Sequence, residues 1–258
     1  MITTPSSASR SDPSLRFGAV IQDVFEMMHA EFGDRLTSVL VGGSASRNTA
    51  RDDSDLDVFV PFSGDWRQRR RLDVRGREID LFIHPTELVR LNIEKGRDPV
   101  LVYNYADGWP IFDPTEVLEG LQALARRIWS SPRPAPTELQ IFVHGNKLRD
   151  GLASVRAAFG AEPAQEAYLM CDYVESAVAA FFCFTRRWRP PQKTLMAELQ
   201  LADPHVADQI AIALDQAQSR ESRGRAITSI YDTVIARCEA ARHCSTGPKL
   251  HVSVQAHT

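Results

Sequence analysis

Val39-Leu40-Val41-Gly42-Gly43-Ser44, ten further residues, and then Asp55-Leu56-Asp57-Val58-Phe59-Val60 decide how this chain is read. Leu36 to Val41 is a compact apolar run ending in two glycines, which predicts a buried strand meeting a tight turn, with a helix starting at Ser44. Glycine lets the backbone approach an anion, and successive N–H groups plus the Ser44 hydroxyl are suited to phosphate oxygens. Leu56 to Val60 is a second predicted strand, closed by Pro61. Side chains alternate along a strand, so Asp55 and Asp57 share one face while Leu56, Val58 and Val60 supply packing on the other.

Two carboxylates a few ångströms apart repel each other unless a cation lies between them. Magnesium is a hard ion that takes carboxylate oxygens together with substrate phosphates. A third acid stands in Arg77-Glu78-Ile79-Asp80-Leu81-Phe82-Ile83, where the apolar alternation turns Asp80 away from the core. Residues 69 to 74 and 78 to 83 flank Arg75-Gly76-Arg77 and predict a hairpin. If its second strand neighbours the 56 to 60 strand, three carboxylates converge beside the glycine-serine turn, the outline of a two-metal phosphoryl-transfer site. The plain alternative is a glycine-rich turn followed by a solvated acidic loop, Asp52, Asp53, Ser54 and Asp55.

This segment resembles the DNA polymerase β-like nucleotidyltransferase superfamily, whose signature is an apolar run, a glycine-serine element, a spacer, an acid pair and a later lone acid. By that resemblance, Gly43 and Ser44 bind the triphosphate of an NTP, and Asp55, Asp57 and Asp80 hold two Mg²⁺ ions. A hydroxyl of the acceptor then attacks the α-phosphate, pyrophosphate leaves, and Asp80 draws off the acceptor's proton. Arg47 stands where relatives carry a basic residue facing the phosphates; the alternative is an exposed arginine at a helix start. Arg187 to Leu195 (RWRPPQKTL) resembles an element of antibiotic-modifying nucleotidyltransferases in which a lysine, here Lys193, reaches the triphosphate. It departs from that pattern at Thr194, where a tryptophan is common, and an ordinary surface lysine is the alternative. In the same enzymes a helical-domain glutamate serves as general base, a role that falls to Glu175 rather than Asp172, with an ion pair as the alternative. His84 and His144 are read as structural histidines.

The chain has 258 residues, 43 % apolar and 24 % charged, close to a soluble globular average. The apolar stretch Val174 to Phe184 is about half the roughly 20 residues a bilayer crossing needs, and Met1 to Pro13 lacks the apolar core of a secretory signal. A cytoplasmic protein without a membrane partner is expected. The net charge of −3 excludes a strongly basic nucleic-acid coat. Arginine is nonetheless concentrated in residues 67 to 77 (RQRRRLDVRGR), either as a solvated strand or as an anion-attracting rim. Cys171, Cys183, Cys238 and Cys244 lie in helix-like stretches without zinc spacing and read as reduced thiols.

The expected fold class is α/β (α+β): a nucleotidyltransferase core with a short mixed sheet, followed by an all-α helical-bundle domain. The expected division is a disordered tail over 1–13, the nucleotidyltransferase domain over 14–130, a Ser/Pro linker over 131–136, the helical domain over 137–243 and a flexible tail over 244–258. Helices are predicted over 15–31, 86–94, 114–129, 137–158, 164–187, 193–202, 204–218 and 221–243. The layout resembles the aminoglycoside and lincosamide enzymes, implying transfer of AMP from ATP, or of another nucleotide, to a small-molecule hydroxyl. A second reading keeps the chemistry but makes RNA (tRNA) or protein the acceptor, as in toxin-like members. A third is a nucleotide-binding or antitoxin-like partner without turnover. The sequence leaves the oligomeric state open.

Overall fold

The computed structural model describes residues 14–160, 162–243 and 247, so the predicted tail over 1–13, the predicted tail over 244–258 other than Gly247, and Cys244 lie outside the described residues. The chain divides into two compact units, up to Ser131 and from Pro132 onward. The first unit runs α1 (Ser14–Phe32), β1 (Val39–Val41), α2 (Gly43–Ser46), β2 (Leu56–Phe62), β3 (Gln68–Val74), β4 (Arg77–Pro85), α3 (Thr86–Glu94), α4 (Pro99–Asp107), β5 (Trp109–Phe112) and α5 (Val117–Ser130). Its five strands form one mixed sheet in the order β3-β4-β2-β1-β5, with β2 and β4 parallel and the other neighbours antiparallel. This is the expected α+β core.

Strand alternation separates two cores. Val39, Val41, Leu56, Val58, Val60, Ile79, Leu81 and Ile83 face α1, which contributes Phe17, Ile21, Val24, Met28 and Phe32. Leu40 and Phe59 face the other way, against residues of α3, α4 and α5, with Phe82 packed alongside. The predicted hairpin is present. Its two-residue turn, Arg75-Gly76, has positive φ at both positions (55° and 76°), which matches the twist of the strands it joins.

Several predicted boundaries move. β1 is shorter than predicted, because Leu36 makes only an isolated bridge to Phe62. β2 continues through Pro61 to Phe62. The proline is tolerated because its carbonyl points toward Thr37 and Ser38, where the β1 ladder has ended, so its missing N–H removes no bond to β4. The helix predicted from residue 114 starts at Val117, since Asp113 caps it from upstream by accepting from the Leu118 and Glu119 N–H groups. α4 and β5 were not predicted at all; α4 is set by Asp98, which caps the Leu101 N–H, and by Pro99 in its first turn.

The second unit consists of α6 (Glu138–Ala158), α7 (Pro163–Phe184), a 3₁₀ turn at Gln192–Thr194, α8 (Leu195–Ala202), α9 (Pro204–Leu214), α10 (Arg220–Ala236) and α11 (Glu239–His243). The helix expected over 221–243 is thus split, and Cys238 lies in the break rather than in a helix. Thr137 and Gln140 form a reciprocal capping box at the start of α6. α7 is long and apolar enough to cross a membrane by length and composition, which exceeds the expectation for Val174 to Phe184. It is the central helix of this unit's core, and the hydroxyl of its buried Tyr173 donates to the Ile227 carbonyl at 2.7 Å. Cys171, Cys183 and Cys238 are free thiols.

Burial holds the imidazoles of His84 and His144 below the usual histidine range, aided by Arg67 beside the first and by Lys147 and Arg133 beside the second. The fold therefore binds fewer protons than the unfolded chain around neutral pH. The resulting stability is present above about pH 6.5 and is lost as pH falls toward the depressed values. The melting temperature should drop by a few degrees between pH 7.5 and 5.5, and a His84→Gln, His144→Gln variant should show a flatter profile. An unchanged slope in the double variant would rule these histidines out as its source.

Candidate metal and nucleotide site

β2 and β4 run side by side in parallel with Asp57 in register with Asp80, and Asp55 immediately precedes β2. One ligand oxygen from each of Asp55, Asp57 and Asp80 lies within 4.8 Å of the others. Asp55 and Asp57 are half-buried, whereas Asp80 is only 2 % exposed. The predicted convergence is therefore realised, while Asp52 and Asp53 stay in solvent. The loop that delivers Asp55 is fastened by Arg77, which donates to the Ser54 and Asp52 carbonyls at 2.7 and 3.1 Å. An all-carboxylate donor set of this span fits a hard divalent cation such as Mg²⁺.

The glycine-serine turn sits directly against these acids. The Gly42 N–H donates to the Asp57 carbonyl at 2.9 Å, closing the turn onto β2. Gly43 has φ +63°, and a Cβ there would come within 2.0 Å of Asp57 Oδ2. The anion this glycine admits is thus the protein's own Asp57 carboxylate. Its N–H donates to Asn104 Oδ1 at 3.0 Å. Ser44, half-buried, is the second residue of the short α2, and its carbonyl accepts from the Thr49 N–H at 3.0 Å.

Arg47 follows α2, with its guanidinium 4.6 Å from the centre of the Tyr103 ring. Among the described residues its Nε and Nη1 are buried without a hydrogen-bond partner. Buried guanidinium donors left unmade are costly, and an oxyanion such as a phosphate would satisfy them. Arg47 is half-buried and not the exposed arginine of the alternative reading.

The arginine-rich segment separates by strand face. Arg70 pairs with Glu31 of α1 at 2.7 and 2.9 Å, and Arg75 pairs with Asp23 of α1 at 2.6 and 3.0 Å. Arg69 and Arg71 lie on the opposite face, toward Asp80. The Arg69 guanidinium, hydrogen-bonded to Asp80, holds that carboxyl below the usual carboxylate range against the opposing effect of burial.

The remaining candidates are distributed over both units. His84 is four residues along β4 from Asp80, about 13 Å away at strand spacing. In the helical unit, Lys193 lies in the 3₁₀ turn rather than in a helix. Glu175 is exposed on α7, and both its oxygens accept from Arg189, at 2.6 and 2.8 Å. The ion pair is the observed state. Asn104, which holds the Gly43 N–H of the candidate site, is the residue that the sequence reading missed. A polar side chain inside the apolar run Pro99 to Ala106 was its signal, since buried amides are retained where they make bonds.

The family model of the nucleotidyltransferase domain matches residues 24–105, which include the turn and all three acids. No curated protein matches the chain. Among solved structures, a nucleotidyltransferase-like protein from Exiguobacterium sibiricum 255-15 is similar at 13 % identity and a TM-score of 0.49, over 87 % of this chain and 78 % of that one.

Proposed function

We propose that this chain, whose residues 24–105 match the family model of the nucleotidyltransferase domain, transfers AMP from ATP to a hydroxyl of a small molecule of the aminoglycoside or lincosamide kind. The observation that carries this reading is the gathering of Asp55, Asp57 and Asp80 beside the Gly43-Ser44 turn, with the unsatisfied Arg47 donors nearby in sequence. Mg²⁺ held by the three acids, two ions in this reading, would offset the charge of the triphosphate and make the α-phosphorus more electrophilic. Arg47 and Ser44 bind phosphate oxygens. The acceptor oxygen bonds to the α-phosphorus, the bond to the bridging oxygen breaks, and pyrophosphate leaves with that electron pair. Asp80 receives the acceptor's proton. Lys193 as a triphosphate ligand and Glu175 as a base rest on resemblance alone, as does a cytoplasmic location.

A small acceptor is favoured over RNA because Arg70, Arg75 and Arg77 are committed to fastening α1 and the loop before Asp55, and the chain's net charge is −3. The test is incubation of purified protein and Mg²⁺ with each α-labelled NTP against aminoglycosides, lincosamides, tRNA and a lysate. Label from ATP should appear on a small molecule. Label on tRNA or on a protein would replace the acceptor assignment, and no transfer from any NTP by folded protein would overturn the enzymatic reading.

A further inference from the structure

The antiparallel register of β3 and β4 sets Arg71 opposite Asp80 and Arg69 opposite Phe82. Arg69 Nε donates to Asp80 Oδ1 at 3.0 Å while its Nη2 donates to Oδ2, so one planar fork engages both oxygens of the third acid. The guanidinium lies 5.1 Å from the centre of the Phe82 ring, and Arg71 Nε adds a longer contact, 3.5 Å from Asp80 Oδ1. The Arg69 side chain is 57 % exposed, so nothing encloses it in this position.

We propose that Arg69 is a resident counter-cation that competes with a divalent ion for Asp80, so that nucleotide-free protein binds such an ion weakly until the guanidinium swings away. The inference rests on reading Asp55, Asp57 and Asp80 as cation ligands. A divalent charge among oxygens that lie within 4.8 Å of one another would sit beside the positive fork and be repelled by it. The fork also occupies the lone-pair directions that face its N–H groups. Once released, Arg69 is an exposed cation at the edge of the acid cluster, suited to an oxyanion of the incoming nucleotide. Ion and nucleotide then favour each other's binding, and neither loads well alone.

The test uses Mn²⁺ alone, titrated into the full chain and followed by the electron paramagnetic resonance of the free ion. Arg69→Gln should bind Mn²⁺ about fivefold to tenfold more tightly than wild type. Arg69→Lys, which keeps charge but loses the fork, should fall between them. Arg70→Gln removes the same charge from the same strand but leaves Asp80 untouched, and should shift affinity less than about twofold. A non-hydrolysable ATP analogue should narrow the gap between wild type and Arg69→Gln. Circular dichroism confirms that each variant is folded. If folded Arg69→Gln binds Mn²⁺ no more tightly than wild type, while Asp57→Asn weakens binding, the competition is overturned and the cation site stands. If no variant and no wild type binds Mn²⁺, the site reading falls and the competition falls with it.

Discussion

Gly43→Ala is expected to destabilise the first unit by about 2 to 3 kcal/mol and to reduce nucleotidyl transfer at least about a hundredfold. Two effects add. An alanine held at φ +63° carries the strain of the left-handed region, and its Cβ would lie 2.0 Å from Asp57 Oδ2. Either the turn opens or the carboxylate moves, and both change the distance between Asp57 and its partner acids. Two further variants identify the cause. Asn104→Ala removes the bond to the Gly43 N–H without introducing a clash, and should lower the melting temperature less. In an Asp57→Gly background the penalty of Gly43→Ala should shrink, since the colliding carboxylate is gone. Equal penalties in both backgrounds would show that the contact is not what makes glycine necessary.

The second large effect concerns the acids themselves. Asp55→Ala and Asp57→Ala should each lower transfer at least about a thousandfold, because charge stabilisation at the reacting phosphate is the main contribution such a site makes. Neither should unfold the protein. Both side chains are half-buried and belong to a crowded acidic cluster, so removing one charge relieves repulsion. The measurement is transfer of label together with the rise in melting temperature on adding Mg²⁺ and ATP, which should be present in wild type and lost in both variants. Retained transfer in both would remove these residues from the site.

What the sequence disclosed follows from how local each signal is. The acid pair at i and i+2, the apolar residues that alternate with it and the glycine-serine turn are all read from local spacing, and so are the hairpin and its Arg75-Gly76 turn. α4 and β5 escaped because Pro99 to Asp107 is apolar on nearly every side, leaving no helical stripe, and Trp109–Phe112 is four residues long with a proline inside. Asn104 was lost with them. The segment from residue 67 to 77 was legible as basic but not as three different devices, since pairing to Asp80, to α1 and to the loop carbonyls depends on the strand's neighbours. Gly43 was legible as a conformation but not as a neighbour: a sequence shows that backbone can approach an anion, and only the fold shows that the Asp57 carboxylate lies against it.

The two outer strands of the sheet have a consequence of their own. An uncovered outer strand is a template on which another chain can add, and proteins blunt it with charge, proline or shortness. β3 carries three consecutive arginines, Arg69, Arg70 and Arg71, and β5 at the other end is four residues with Pro110 in it. Like charges on two approaching copies repel, and a strand that short, with one donor missing, offers little ladder to extend. Charge at one edge and shortness with a proline at the other thus blunt both ends of the sheet as templates for strand addition.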